Sequence, residues 1–92
     1  MSENRETTTI TEQPTVYTTS WCPFCSQLKS GLDAIGVEYS EIDVEADAEA
    51  AAFVESVNDG NRVVPTVRYS DGSTATNPPA DDVASRLREL DG

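Results

Sequence analysis

Histidine is absent from this chain of 92 residues, and cysteine occurs only twice. The first absence removes Ser–His–Asp and Cys–His nucleophilic machinery together with every histidine-based metal site. Two cysteines cannot complete a tetrahedral zinc shell within one chain, so no metal is expected. They are also too few for a disulfide-dense secreted scaffold. Positive charge is scarce: 6 Lys and Arg stand against 17 Asp and Glu, a net charge of −11. Such a surface repels phosphates and anionic lipid, which excludes nucleic acid and membranes as partners and favours solubility. No apolar run approaches the roughly 20 residues that span a bilayer. Met1 to Gln13 is polar and Thr-rich, without the apolar core of a secretory signal. It reads as a flexible tail before a single domain over residues 14–92. A cytoplasmic location is expected, and there thiols are normally reduced.

The remaining chain carries clear periodicities. Thr15-Val16-Tyr17-Thr18 is β-branched and aromatic and reads as a strand. Leu28, Leu32 and Ile35 form one face of a helix that Gly36 should cap, with Lys29 and Asp33 paired outside. Val37 to Val44 reads as a second strand, its alternation slipping between Tyr39 and Ile42. Ala50, Phe53, Val54 and Val57 mark a second amphipathic helix, ended by Asn58-Asp59-Gly60-Asn61. Val67 and Tyr69 belong to an extended run, Asp71-Gly72 signals a hairpin turn, and Thr74 to Thr76 returns. Asn77 then looks like a helix cap with Pro78 in the first turn. Val83, Leu87 and Leu90 are the last apolar stripe, with Asp81 and Asp82 at its positive end. The order βαβαββα predicts an α/β fold with one four-stranded mixed sheet and three helices.

Chemistry concentrates at Cys22-Pro23-Phe24-Cys25, on a strand-to-helix junction. Cys22 takes the cap position and Pro23 the first helical position, where a missing N–H is harmless. The free N–H groups of Phe24 and Cys25, with the helix dipole, can then stabilise a thiolate on Cys22. Cys25, one turn in, should be less exposed yet within disulfide reach. Two other uses stay open: a structural staple, worth about 2 kcal/mol for so short a loop, and half of a metal or cluster site completed by a second chain. Val64-Pro65 is the second element, because an X–Pro bond adopts the cis form at low cost. A cis Pro65 beside the sulfur would turn the Val64 backbone outward for a substrate strand. An ordinary proline at a strand start is the alternative.

The runs Val16 to Cys25, Asn61 to Val67 and Asp71 to Pro78 resemble the mycoredoxin family. These are glutaredoxin-like proteins of bacteria that use mycothiol in place of glutathione. The resemblance extends from about Pro14 to Leu90 and implies a thioredoxin-like fold of glutaredoxin type. It implies a thiol–disulfide oxidoreductase with Cys22 and Cys25 catalytic. Trp21, Pro23, Phe24, Val64, Pro65, Thr19 and Asn77 are implied around the substrate. Glutathione-using relatives carry a lysine at the position of Thr19 and a Gly-Gly step at Asn77-Pro78. Mycothiol lacks the free carboxylates of glutathione, so a neutral Thr19 suits it. Trp21 and Phe24 can form an apolar lip or pack in the core. Arg62 and Arg68 are read as solvated charges before ligand contacts.

The implied activity is reduction of mixed disulfides between proteins and mycothiol, by attack of Cys22, with mycothiol as reductant and no bound cofactor. The implied partners are mycothiol and S-mycothiolated proteins, and the chain is expected to be a monomer. Two alternatives compete: a dithiol redoxin reduced by thioredoxin reductase, and a non-enzymatic dimer binding an iron–sulfur cluster.

Overall fold

Alternation along the first strand decides the layering. In the computed structural model, which describes residues 13–91, β1 (Thr15–Thr18) sends consecutive side chains to opposite sheet faces. Val16 joins Leu28, Leu32, Val67, Tyr69 and Val83 on one face. Tyr17 joins Val44, Ala50, Ala51 and Val54 on the other. The helices that bring these residues are α1 (Pro23–Ala34) and α3 (Ala80–Asp91) on the first face, and α2 (Ala48–Val57) on the second.

The sheet is completed by β2 (Ser40–Asp43), β3 (Thr66–Arg68) and β4 (Thr74–Thr76), in the order β2-β1-β3-β4. β1 pairs parallel with β2, Thr15 opposite Ser40, and α1 is the crossover such pairing requires. β3 is antiparallel to β1, Val16 opposite Val67, and β4 antiparallel to β3. The Asp71-Gly72 turn closes that hairpin as read from sequence: Tyr69 N–H donates to the Ser73 carbonyl at 2.8 Å. Gly72 supplies the left-handed φ of 90°. From α3, Arg86 pairs with Asp71 at 2.8 Å and locks the turn to the helix. Among the described residues the expected order βαβαββα is complete.

Several local expectations are corrected. α1 ends at Ala34, so Ile35 leaves the helix and is exposed rather than part of the apolar face. Gly36, at φ 77°, ends it in a Schellman motif: Val37 N–H reaches the Leu32 carbonyl at 2.9 Å, and Gly36 N–H that of Asp33 at 3.2 Å. Lys29 pairs with Glu41 of β2 at 2.8 Å instead of Asp33, because the neighbouring strand brings a carboxylate within reach. The second strand is confined to Ser40–Asp43. On α2 the buried face is Ala50, Ala51 and Val54, while Val57 in the last turn is exposed.

Asn77 does not cap α3. Its φ of 49° is left-handed, whereas a cap needs extended backbone. The helix begins three residues later, at Ala80, with the Pro79 carbonyl accepting from Val83 N–H at 3.2 Å. The expected tail falls outside the described residues up to residue 12. Gln13 is described, and accepts a hydrogen bond from Ser40 Oγ at 3.3 Å.

Candidate active site

β1 ends in the centre of the sheet, and the chain turns through Thr19-Ser20-Trp21 into α1. Cys22 is the N-cap, with φ −85° and ψ 117°, and Pro23 begins the helix. The Cys22 carbonyl accepts from Ser26 N–H at 3.2 Å. The sulfur makes no cap bond to the helix N–H groups expected to face it. The thiol points across to the loop before β3, where Sγ–H lies 3.8 Å from the Val64 carbonyl. A protonated thiol is a weak donor and turns to an acceptor, leaving the first-turn N–H groups without intrahelical partners.

The two thiols are free and unequal. Cys22 keeps 5% of its surface exposed and Cys25 only 1%. Burial, foremost, pushes the Cys25 thiol up to about 11 from an ordinary 9.0. The Thr19 backbone opposes this, the adjacent Cys22 thiol adds to it, and the positive charge of Lys29 lowers it slightly.

Val64–Pro65 is a cis peptide, and Pro65 is buried. The Val64 carbonyl, which the sequence reading turned outward, receives the Cys22 thiol instead. Asn58, read from sequence only as a helix end, holds this loop in place. Its amide donates to the Val54 carbonyl at 2.8 Å and to Thr66 Oγ1 at 3.2 Å, and its Oδ1 accepts from Thr76 Oγ1 at 2.7 Å. Thr66 Oγ1 in turn donates to the Val63 carbonyl at 2.8 Å. One side chain thus ties α2, β3, β4 and the approach to Pro65 together. On the far side of Pro65, its carbonyl accepts from Asn77 N–H at 2.7 Å.

Trp21 and Phe24 are 67% and 53% exposed, so neither is a core residue. Trp21 Nε1 donates to Glu45 Oε2 at 3.0 Å. Phe24, Gln27 and Leu28 form one wall of a cleft of about 250 Å³, and Asn77, Pro78, Pro79 and Ala80 the other. Phe24 and Asn77, far apart in sequence, therefore line one cleft, whose walls include neither cysteine. Pro23 is exposed at the helix start. Thr19 is buried, and its hydroxyl has no hydrogen-bond partner. Arg62 pairs with Glu55 at 3.0 Å, and Arg68 lies 4.7 Å from the Phe53 ring centre. Lys29 and Arg86 are held by acids, and Arg88 donates to Ser85. The described cations are thus engaged away from the cleft.

A cysteine at a helix start, a second one turn in, and a cis Val64–Pro65 bond whose Val64 carbonyl meets the first sulfur make an arrangement suited to thiol–disulfide exchange. The glutaredoxin family profile matches residues 15–73. The chain belongs to the glutaredoxin family. As a glutaredoxin it is a thiol–disulfide oxidoreductase. It is 58% identical to Mycoredoxin 1 of Corynebacterium glutamicum over 76 residues, covering 83% of this chain and 94% of that one. It is 53% identical to a protein of Mycobacterium tuberculosis described as a glutaredoxin, over 90% of this chain and 99% of that one. The resemblance to mycoredoxins read from the motifs therefore holds over most of the length.

Solved structures agree on the fold. The thioredoxin-like protein BC3987 matches with a TM-score of 0.64 and 31% identity, over 82% of this chain and 99% of that one. A glutaredoxin from Brucella melitensis matches with a TM-score of 0.60 and 26% identity, over 84% and 79%. The fold is thioredoxin-like.

Proposed function

We propose that this glutaredoxin reduces mixed disulfides between proteins and mycothiol, with Cys22 as the nucleophile. The observation that carries the choice of sulfur is position: both thiols are buried, but Cys22 caps α1 at its start and keeps 5% of its surface exposed, whereas Cys25 lies inside the helix with 1%. The attacking species is the Cys22 thiolate, which no longer donates to Val64. The thiolate attacks the mycothiol sulfur of the mixed disulfide, and the protein leaves as its thiolate. A second mycothiol thiolate then attacks the mycothiol sulfur on Cys22, giving mycothiol disulfide and free Cys22. Val64 offers its backbone to the extended substrate beside the sulfur.

The choice of small thiol rests on the likeness to Mycoredoxin 1 and on the cleft. The amides of Gln27 and Asn77 suit hydroxyl groups, and Phe24, Pro78 and Pro79 suit the apolar faces of a sugar. The lining contains no cation for a free carboxylate, which favours a neutral pseudo-disaccharide over glutathione. Mycothiol is then the reductant, no cofactor stays bound, and the protein works as a cytoplasmic monomer. Cys25, one turn from Cys22, provides a side branch: it can close an internal disulfide and release the small thiol.

Serine variants test the route on a mycothiol-capped peptide. Cys22→Ser should abolish turnover and Cys25→Ser should retain most of it. Equal loss in both would overturn the single-thiol route and favour a dithiol redoxin. If glutathione cleaved the mixed disulfide on Cys22 and mycothiol did not, the assignment of the small thiol would fail.

A further inference from the structure

Glu45 lies outside the family motif, yet it touches the rim of the site. The contact joins residues 24 apart: Trp21 Nε1 donates to Glu45 Oε2 at 3.0 Å. Trp21 precedes the nucleophile directly and leaves two thirds of its surface in solvent. An exposed indole on a connecting turn has several staggered rotamers open to it, so something must select one if its ring is to serve as a fixed wall. Glu45 is well placed to do so. Its own backbone is pinned, because its N–H donates to Asp43 Oδ1 at 2.8 Å. Ala46 N–H closes the same turn on the Asp43 carbonyl at 3.1 Å. That turn is bolted to the end of β1: Asp43 lies opposite Thr18 in the parallel register, and Val44 N–H donates to the Thr18 carbonyl at 3.0 Å. Val44 is buried in the core on the α2 side. The carboxylate therefore hangs from a fixed point next to the Thr19-Ser20-Trp21 turn.

We infer that Glu45 is a positioning residue for exchange at Cys22: it holds the Trp21 ring as one wall of the groove that receives the incoming disulfide. The inference builds on the proposed role of Cys22 and adds a specificity-determining contact to it. Glu45 touches no reacting atom. It restricts Trp21, and Trp21 meets the part of the substrate next to the sulfur.

Trp21 is the sole tryptophan of the chain, so its fluorescence reads the tether directly. Glu45→Ala should lower the anisotropy of Trp21 and shift its emission to the red. For a mixed-disulfide peptide it should raise KM by about threefold to tenfold, the range one lost hydrogen bond commands, with the loss expressed in KM rather than kcat. Glu45→Gln keeps an acceptor for the indole N–H and should restore both readings. In a Trp21→Phe background, which keeps a ring and removes the N–H, Glu45→Ala should add nothing further. Unchanged anisotropy and KM in Glu45→Ala would overturn the inference. So would a Glu45→Gln variant as impaired as Glu45→Ala, or an undiminished Glu45→Ala effect in the Trp21→Phe background. Failure of the Cys22 assignment would show separately, as turnover surviving in Cys22→Ser, and leaves the anisotropy test standing.

Discussion

Cys22 and Cys25 belong to one short motif but stand in different electrostatic surroundings. Burial holds the Cys25 thiol neutral up to about pH 11. Its ionisation is therefore harder in the folded chain than in the unfolded one. The stabilising contribution is fully present below the ordinary value of 9.0 and is lost as pH rises through about 11. Urea midpoints of the reduced protein should fall across that window, and Cys25→Ala should remove part of the fall. At neutral pH a limiting dose of iodoacetamide should label Cys22 before Cys25, as peptide mapping would show. Asn58 makes a second prediction at this scale. It is half-buried and serves α2, β3 and β4 at once, so Asn58→Ala leaves several polar groups short of a partner. A loss of about 1–3 kcal/mol in urea unfolding is expected.

α1 passes close to the start of α3. Gly31 lies there, and a Cβ on it would stand 2.7 Å from the Ala80 Cβ. Alanine gains about 1 kcal/mol of helix propensity over glycine. Overpacking at so close an approach loses about 1–3 kcal/mol, and the second effect should win. Gly31→Ala is therefore expected to lower the denaturation midpoint, and adding Ala80→Gly should recover much of the loss. The crossing also sets the cleft, because Phe24 and Gln27 sit on α1 and Pro79 and Ala80 open α3. Pushing the helices apart should weaken binding of the small thiol as well as stability.

For the whole molecule, charge is the dominant global property. A net charge of −11 on 92 residues makes the compact state repel itself. Salt screens that repulsion within about 10 Å at 0.1 M. The melting temperature should rise as sodium chloride is increased from low millimolar to about 0.2 M, against the usual expectation for a protein held by surface ion pairs. A flat or falling dependence would mean that pairs such as Lys29–Glu41 and Arg86–Asp71 outweigh the repulsion. No described helix is long and apolar enough to cross a membrane.

The order of elements, the helix beginning at the cysteine motif, the Asp71-Gly72 turn and the candidate pair Cys22 and Cys25 were all legible in the sequence. Each depends on residues close together along the chain, where periodicity, proline and glycine act directly. The ends of that legibility are equally physical. Ile35 and Val57 continue an apolar period, but the helices stop, and burial follows the partner surface. Asn77 suits both the extended backbone of a cap and left-handed backbone, and the tertiary structure selects the second. Lys29 pairs with Glu41, the Cys22 thiol turns to Val64, Asn58 gathers three elements and Glu45 reaches Trp21. These contacts join segments that only strand order and register bring together. A sequence records which groups are available locally; which of them meet is decided when the sheet closes.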